Sequence, residues 1–254
     1  MTHLEHLIIL TCTVRTRMTS NMKRSDPAIR LADYVESIGK WHQLATGNNW
    51  KIVIVENSNS IEEIKKSLDS QITEKLIFIQ VSQDEKSHFQ GNSAGEFALL
   101  REFINYKIPN VESDYIWKIT GRLFVPNFKR IAQQAAGELV VNRIYAAKHQ
   151  IDARIIGFDP IQFDSLFNQD VEFSANSPNR RGNVFESMEH YLTQRTLDLE
   201  ISGKVVCSMK QVPIFEGNSG TSNKQIDGSI SRIKKRLANR IRPLVIKLLA
   251  GSSP

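Results

Sequence analysis

Two short blocks near the middle of the chain hold residues whose types and spacing could do chemistry. Trp117-Lys118-Ile119-Thr120-Gly121-Arg122 closes an apolar run with two cations around a Thr-Gly pair. On a strand, residues four apart face the same side. The spacing therefore predicts that Lys118 and Arg122 form a phosphate clamp with Thr120 and Gly121 between them. The arginine would bind bidentately, and Gly121 would let a ligand approach the backbone. The alternative is a pair of surface charges, which fits poorly with Tyr115, Ile116, Trp117 and Ile119 around the lysine. The second block, Gly91-Asn92-Ser93-Ala94-Gly95-Glu96, reads as a loop that opens a helix at Glu96. Backbone N–H groups near Gly91 and Gly95 could face a pyrophosphate there, helped by the helix dipole. The alternative is a glycine turn with Ser93 as cap, or Glu96 capping the helix start. The block is neither a Walker loop nor a GxGxxG fingerprint.

Three further groups carry weaker signals. Glu56-Asn57-Ser58-Asn59 follows a strand-like run, where an acid or amide could bond a ribose hydroxyl or a base edge; a polar turn is the alternative. Glu186, Glu189 and His190 fall on one expected helix, 184–198, at spacings of three and four, so a carboxylate and a histidine would share a face suited to general-base work. A solvated helix face would show the same spacing. Pro213–Thr221, with Ser219 and Thr221 near its end, reads as a strand end running into a flexible loop that could close over a ligand or simply link to the tail. The six histidines are scattered and show no zinc spacing. Asp170-Val171-Glu172 is the nearest thing to a diphosphate-metal carboxylate pair, and a poor one. No metal ligand is assigned. Mg²⁺ or Mn²⁺ stays open as a cofactor, and Lys118 with Arg122 could replace such an ion's charge.

The elements that must position these residues alternate. Leu7–Val14, Lys51–Val55, Lys75–Val81 and Tyr115–Thr120 read as strands buried on both faces. Pro27–Leu44, Ile61–Leu68, Glu96–Tyr106 and Phe128–Ala136 read as helices, the first with Pro27 in its opening turn. This alternation predicts an α/β fold with a mostly parallel sheet. Beyond residue 137 the pattern loosens: Leu139–Val141, Arg154–Phe158 and Lys204–Met209 look like strands, 160–167 is aromatic-rich, and 217–228 is a Gly/Ser/Asn-rich loop.

The chain's 254 residues suit one large α/β domain. Its net charge of +6 resides in the tail: residues 231–254 hold seven cations and no acid, which leaves 26 basic and 27 acidic residues before them. The body is thus near neutral, and the basic balance is no sign of nucleic-acid binding. The tail places Ile233, Leu237, Ile241, Leu244, Val245 and Leu248 at near-helical spacing among the cations, which predicts a basic amphipathic helix, kinked at Pro243, at an anionic membrane surface. A helix docked on the body is the alternative. Cys12 and Cys207 are too few for a disulfide framework and read as buried thiols in a reducing compartment. No secretory signal or membrane-spanning run is expected.

Taken in order, the blocks resemble a group of bacterial glycosyltransferases for surface polysaccharides with a GT-A-like, Rossmann-like domain. The resemblance covers residues 7 to about 223. It rests on Thr11-Cys12-Thr13, on Arg30, Asp33 and Tyr34, on Val55-Glu56-Asn57-Ser58, on Gly91–Glu96, on Lys118–Arg122 with Asn127, and on Gly217–Thr221. Relatives often carry lysines where Phe89, Gln90 and Asn92 stand here, which shifts phosphate binding toward Lys118 and Arg122. The resemblance implies one domain, 1–230, with a donor half to about 136 and an acceptor half from 137, followed by the tail 231–254. A sugar would pass from a nucleotide-activated donor to a glycan or lipid-linked acceptor of lipopolysaccharide O-antigen or capsule. Thr11, Thr13, Glu56, Asn57, Gly91, Gly95, Lys118, Thr120, Gly121 and Arg122 would hold the donor. Glu186 or Glu96 would act as the catalytic carboxylate. His190, Ser219 and Thr221 would meet the acceptor. The implied location is cytoplasmic, peripheral on the inner face of the membrane. A nucleotidyltransferase making an activated sugar, or a non-catalytic membrane-associated binding protein, are the rival readings.

Overall fold

The computed structural model describes residues 5–16, 24–48, 50–82, 92–106, 113–133, 139–145, 150–174, 184–204 and 206–218. The strands are β1 (His6–Cys12), β2 (Lys51–Glu56), β3 (Ile77–Gln80), β4 (Tyr115–Thr120), β5 (Leu139–Tyr145), β6 (Gln150–Phe158), β7 (Glu172–Phe173), β8 (Val184–Phe185) and β9 (Val206–Ser208). The helices are α1 (Pro27–Thr46), α2 (Ile61–Ser67), α3 (Ser70–Thr73), α4 (Asn92–Asn105), α5 (Phe128–Ala132), α6 (Pro160–Phe167) and α7 (Met188–Ile201).

Among the described residues, seven strands form one sheet in the order β3-β2-β1-β4-β6-β5-β9. Strand β6 runs antiparallel to both β4 and β5, and the other pairings in this sheet are parallel. The α/β architecture with a mostly parallel sheet is the expected one. The chain winds outward from β1 to β2 and β3, then returns to lay β4 on the other side of β1. The order reverses between β1 and β4, and the crevice beyond the carboxyl ends of two such strands is where open α/β sheets take ligands.

Both faces of the sheet are covered, which is why β1 is buried along its whole length. Leu7, Ile9, Val53, Val55 and Ile116 pack with Phe97 and Leu100 of α4, Phe163 of α6 and Tyr191 of α7. Ile8, Leu10, Ile52, Ile54, Trp117 and Ile119 pack with Tyr34, Ile38 and Trp41 of α1 and Phe128 of α5. Helix α1 starts where Asp26 accepts from the Ala28 N–H at 2.8 Å, with Pro27 in the first turn. The indole of Trp41 donates to the Leu123 carbonyl at 2.8 Å, tying α1 to the segment that follows β4.

Helix α4 begins at Asn92 rather than Glu96. Ala94, Phe97 and Leu100 bury one stripe, so packing carries the helical period back through the expected glycine loop. Gly95 therefore lies in the helix with open space where a side chain would be. The aromatic-rich segment is helix α6, capped by Asp159, which accepts from the Gln162 N–H at 2.6 Å. Residues 184–198 are not one helix: Val184–Phe185 pairs with Glu172–Phe173 as a short parallel ribbon, and α7 starts only after Ser187, whose hydroxyl caps the His190 N–H. The tail 231–254, and with it the expected amphipathic helix, lies outside the described residues. Among the described residues no helix is long and apolar enough to cross a membrane.

Candidate functional site

The site is built at the carboxyl ends of β1, β2 and β4, where each strand's apolar alternation turns polar. Leu7 and Ile9 give way on the same face to Thr11, and Ile116 gives way to Lys118. The Lys118 ammonium is fully buried. It donates to the Ala153 carbonyl at 2.5 Å and pairs with Glu96 Oε1 of α4 at 2.7 Å. The Thr11 hydroxyl donates to that same Oε1 at 2.6 Å. Thr11 is itself 5 % exposed and Glu96 side chain 24 %, so this trio closes the crevice floor on the α4 side. An ion pair this deep tolerates burial only because hydrogen bonds complete it.

One step further out, the Thr13 hydroxyl donates to Asn57 Oδ1 at 2.7 Å, which joins the ends of β1 and β2. The Thr13 carbonyl is gripped by the buried Arg30 through Nε at 2.9 Å and Nη2 at 2.6 Å. Tyr34 adds its hydroxyl, which accepts from the Thr13 N–H at 3.0 Å. Burial pushes the Tyr34 phenol up, with Arg30 opposing. Arg24 forks onto Asp33 at 2.5 and 2.7 Å and holds the start of α1. Arg30, Asp33 and Tyr34 thus shape the loop after β1.

Glu56 is wholly buried and serves the loop after β2. Its carboxylate accepts from the Ser58 hydroxyl and from the N–H groups of Val14, Ser58 and Ser60 at 3.3, 2.8 and 2.9 Å, as well as from the Gln80 amide. Backbone N–H groups in a loop need acceptors, and Glu56 supplies them. Within this pair of neighbours Glu56 serves its own loop, while Asn57 is tied to Thr13.

Strand β4 ends at Thr120, so Arg122 stands in the following turn and does not share a strand face with Lys118. The turn is pinned to β1: Gly121 donates to the Thr11 carbonyl at 2.9 Å, and a Cβ at this glycine would lie 2.7 Å from Cys12 Sγ and 2.8 Å from the Thr11 oxygen. Arg122 is thereby carried to the α1 side, where its charge opposes the upward pull of burial on the Cys12 thiol. Its Nε donates to the Asn218 carbonyl at 3.2 Å. The Asn218 segment is strapped across this end of the sheet. Phe124 and Glu216 exchange backbone bonds at 3.0 and 2.8 Å, and the Asn127 side chain holds the Ile214 N–H and the Val212 carbonyl at 2.9 and 3.0 Å. Gly217 takes a φ of 122° beneath the Arg122 carbonyl, a conformation that favours glycine.

No protein-family profile and no curated protein matches this sequence. Among solved structures, the chain is similar to the galactosyltransferase LgtC, in complex with donor and acceptor sugar analogues, at 10 % identity and a TM-score of 0.48 over 80 % of this chain and 72 % of that one. It is similar to 4-diphosphocytidyl-2C-methyl-D-erythritol synthase from Anaerococcus prevotii at 10 % identity and 0.43, over 94 % and 99 % of the two chains. It is also similar to the glycosyltransferase GlyE of Streptococcus pneumoniae at 11 % identity and 0.44, over 82 % of this chain and 45 % of that one. Likeness at this level concerns the course of the chain and transfers no residue role.

The remaining candidates fall elsewhere. Glu186 is exposed and precedes the cap of α7, so it does not share a helix face with Glu189 and His190; the ribbon formed by Val184–Phe185 interrupts the expected helix. His190 occupies the first turn of α7 beside the Phe185 ring. Gly91, Ser219 and Thr221 lie outside the described residues. Among the described residues no group of three His, Cys, Asp or Glu side chains converges as a metal site. Arg30 and Tyr34 entered the sequence reading only as part of the family-like blocks and without a role, though their i, i+4 relation within the buried stripe of α1 was a signal; the Asp152–Arg154 pair on β6 was missed altogether. Arg154 forks onto the buried Asp152 at 2.6 and 2.7 Å and stacks on Phe215 of the strap at 4.2 Å.

Proposed function

We propose that the chain is a glycosyltransferase that takes its sugar from a nucleotide-activated donor bound at the β1/β4 crevice. One observation carries the reading. The strand order reverses between β1 and β4, and the strand ends there carry the Thr13 hydroxyl, the Asn57 amide and the Glu96 carboxylate bonded to Thr11, with the Arg122 guanidinium in the turn after β4. Those are groups suited to the nucleoside, sugar and phosphate parts of such a donor. Arg122 is the phosphate-facing cation and balances charge on the departing nucleotide. Thr13 and Asn57 face the nucleoside, and Glu96 faces a hydroxyl-bearing part of the donor. Gly121 keeps the turn close to β1. Mg²⁺ or Mn²⁺, where used, would come with the donor's phosphates.

The order of sequence blocks extends the proposal. The domain 1–230 divides into a donor half to about 136 and an acceptor half from 137, where His190, Ser219 and Thr221 serve the acceptor. The acceptor is a glycan or lipid-linked sugar of a bacterial surface polysaccharide, and the basic tail 231–254 holds the enzyme at the inner face of the membrane. The test is a thermal-shift screen of UDP-, GDP-, CMP- and dTDP-linked sugars with and without Mg²⁺ or Mn²⁺. A ligand that binds the native state raises Tm by mass action, by about 2.7 kcal/mol of added stability at a hundredfold excess over Kd. At least one donor is expected to raise it. A folded protein that no nucleotide sugar stabilises overturns the reading.

A further inference from the structure

Building on the donor site proposed above, we propose that Lys118 does not hold the phosphates but sustains Glu96 as a fixed acceptor that selects a donor carrying a particular free hydroxyl group. The ammonium of Lys118 has no exposed surface to offer a ligand, and its bonds run to Glu96 Oε1 and to the Ala153 carbonyl. Glu96 Oε1 is in turn engaged twice, by Lys118 and by the Thr11 hydroxyl. No described residue donates to Oε2, and the Glu96 side chain is 24 % exposed. One half of the carboxylate is therefore anchored and the other half is presented. A carboxylate is an acceptor without a proton to give, so its free oxygen rewards an O–H donor and is left unpaired by an analogue that lacks it. Loss of a hydrogen bond to a charged group corresponds to about 10- to 100-fold in an equilibrium or rate ratio.

The hydroxyl has two sources in a nucleotide sugar, the ribose and the glycosyl group, and two sets of analogues separate them. The probes are UDP-glucose, its 2-, 3-, 4- and 6-deoxy sugar analogues, and its 2′-deoxyribose analogue, each compared by kcat/KM, or by Kd where turnover is slow. Should another nucleotide-glucose bind better in the screen, its own deoxy series takes their place. The wild type is expected to discriminate about 10- to 100-fold against one analogue of the set. The double variant E96Q/K118M removes both members of the buried pair together and is expected to treat that analogue and its parent alike within about threefold. If that variant does not fold, Glu96→Asp withdraws the free oxygen while keeping the charge and is expected to lose the same discrimination. A bound donor with discrimination unchanged in the folded variant, or a wild type indifferent to every analogue, overturns this proposal alone. Absence of any nucleotide-sugar binding to the wild type overturns the underlying donor reading as well.

Discussion

The two ends of the β1–β4 pair treat buried polarity in opposite ways. At the amino ends, His6 lies among Trp50, Tyr115 and Trp117 with ring centroids 5.4 to 6.4 Å apart. Its Nδ1 accepts the Trp117 indole N–H at 3.2 Å, so the imidazole is held in a neutral form. Toward the carboxyl ends, three residues further along β4 at Lys118, the interior holds an ion pair, and its carboxylate keeps one oxygen unengaged by any described residue. The first arrangement consumes its hydrogen-bonding capacity in packing. The second leaves capacity over, and that surplus distinguishes a site from a core.

The largest expected effect is on the surplus side. Arg122→Ala should lower kcat/KM for the nucleotide-sugar donor by about 100-fold or more, the scale of removing one positioned charge-stabilising group. Steady-state kinetics on the nucleotide sugar chosen by the screen checks it. Melting should change little, because among the described residues this guanidinium has only the Asn218 carbonyl as a hydrogen-bond partner. Equal loss of stability and activity would reduce Arg122 to a strap anchor and erase the contrast between the two ends.

The next effect belongs to the packed end. Burial lowers the His6 pKa to about 4, with Asp114 only partly opposing it. The unfolded chain, with a histidine near 6.5, then binds more protons than the native state between those values. Stability from this group is thus complete above about pH 6.5 and declines as pH falls toward 4, by about 3 kcal/mol in all. Urea unfolding at pH 4.5 and pH 7, compared between the wild type and His6→Asn, isolates the contribution. An unchanged pH slope in the variant would show that the dry cluster does not exclude the charged imidazole.

The smallest effect probes the strap that joins the carboxyl-end site to the rest. A Cβ at Gly217 would stand 2.6 Å from the Arg122 carbonyl in a backbone held at φ 122°. Gly217→Ala should cost about 1–3 kcal/mol of stability in chemical denaturation. It should also raise KM for the donor more than it lowers kcat, because it shifts Arg122 rather than removing it. A stability loss with KM untouched would separate the strap from the site.

Much of the fold was legible from the residues alone. Continuous apolar runs mark strands covered on both faces, so β1, β2 and β4 were found within one or two residues. Helix α1 announced itself through Pro27 and its apolar spacing, while its Asp26 cap emerged only in the structure. Boundaries failed where the deciding contact is distant in sequence. Ala94 extends α4 backward because it packs on the sheet, and Val184–Phe185 left the expected helix because Glu172–Phe173 offered it a partner. The site followed the same division. Lys118, Arg122, Thr11, Thr13, Asn57 and Glu96 could be picked out as unusual polar residues at strand and helix ends. Their roles could not, because a role depends on which partner saturates which atom.

The sequence by itself determined which residues would stand at the ends of β1, β2 and β4 and that a lysine would be carried into an apolar strand. That follows from local pattern: alternation, run length and turn residues set each element with near neighbours alone. Only the tertiary structure decided that Lys118 is buried beneath Glu96, that Glu56 is spent on its own loop, and that Arg122 turns to the other side under the strap. Those outcomes hang on the strand order and on contacts distant in sequence, such as Thr11–Glu96 and Arg122–Asn218, 85 and 96 positions apart. Hydrogen-bond saturation is a property of three-dimensional neighbours, and no local pattern encodes it.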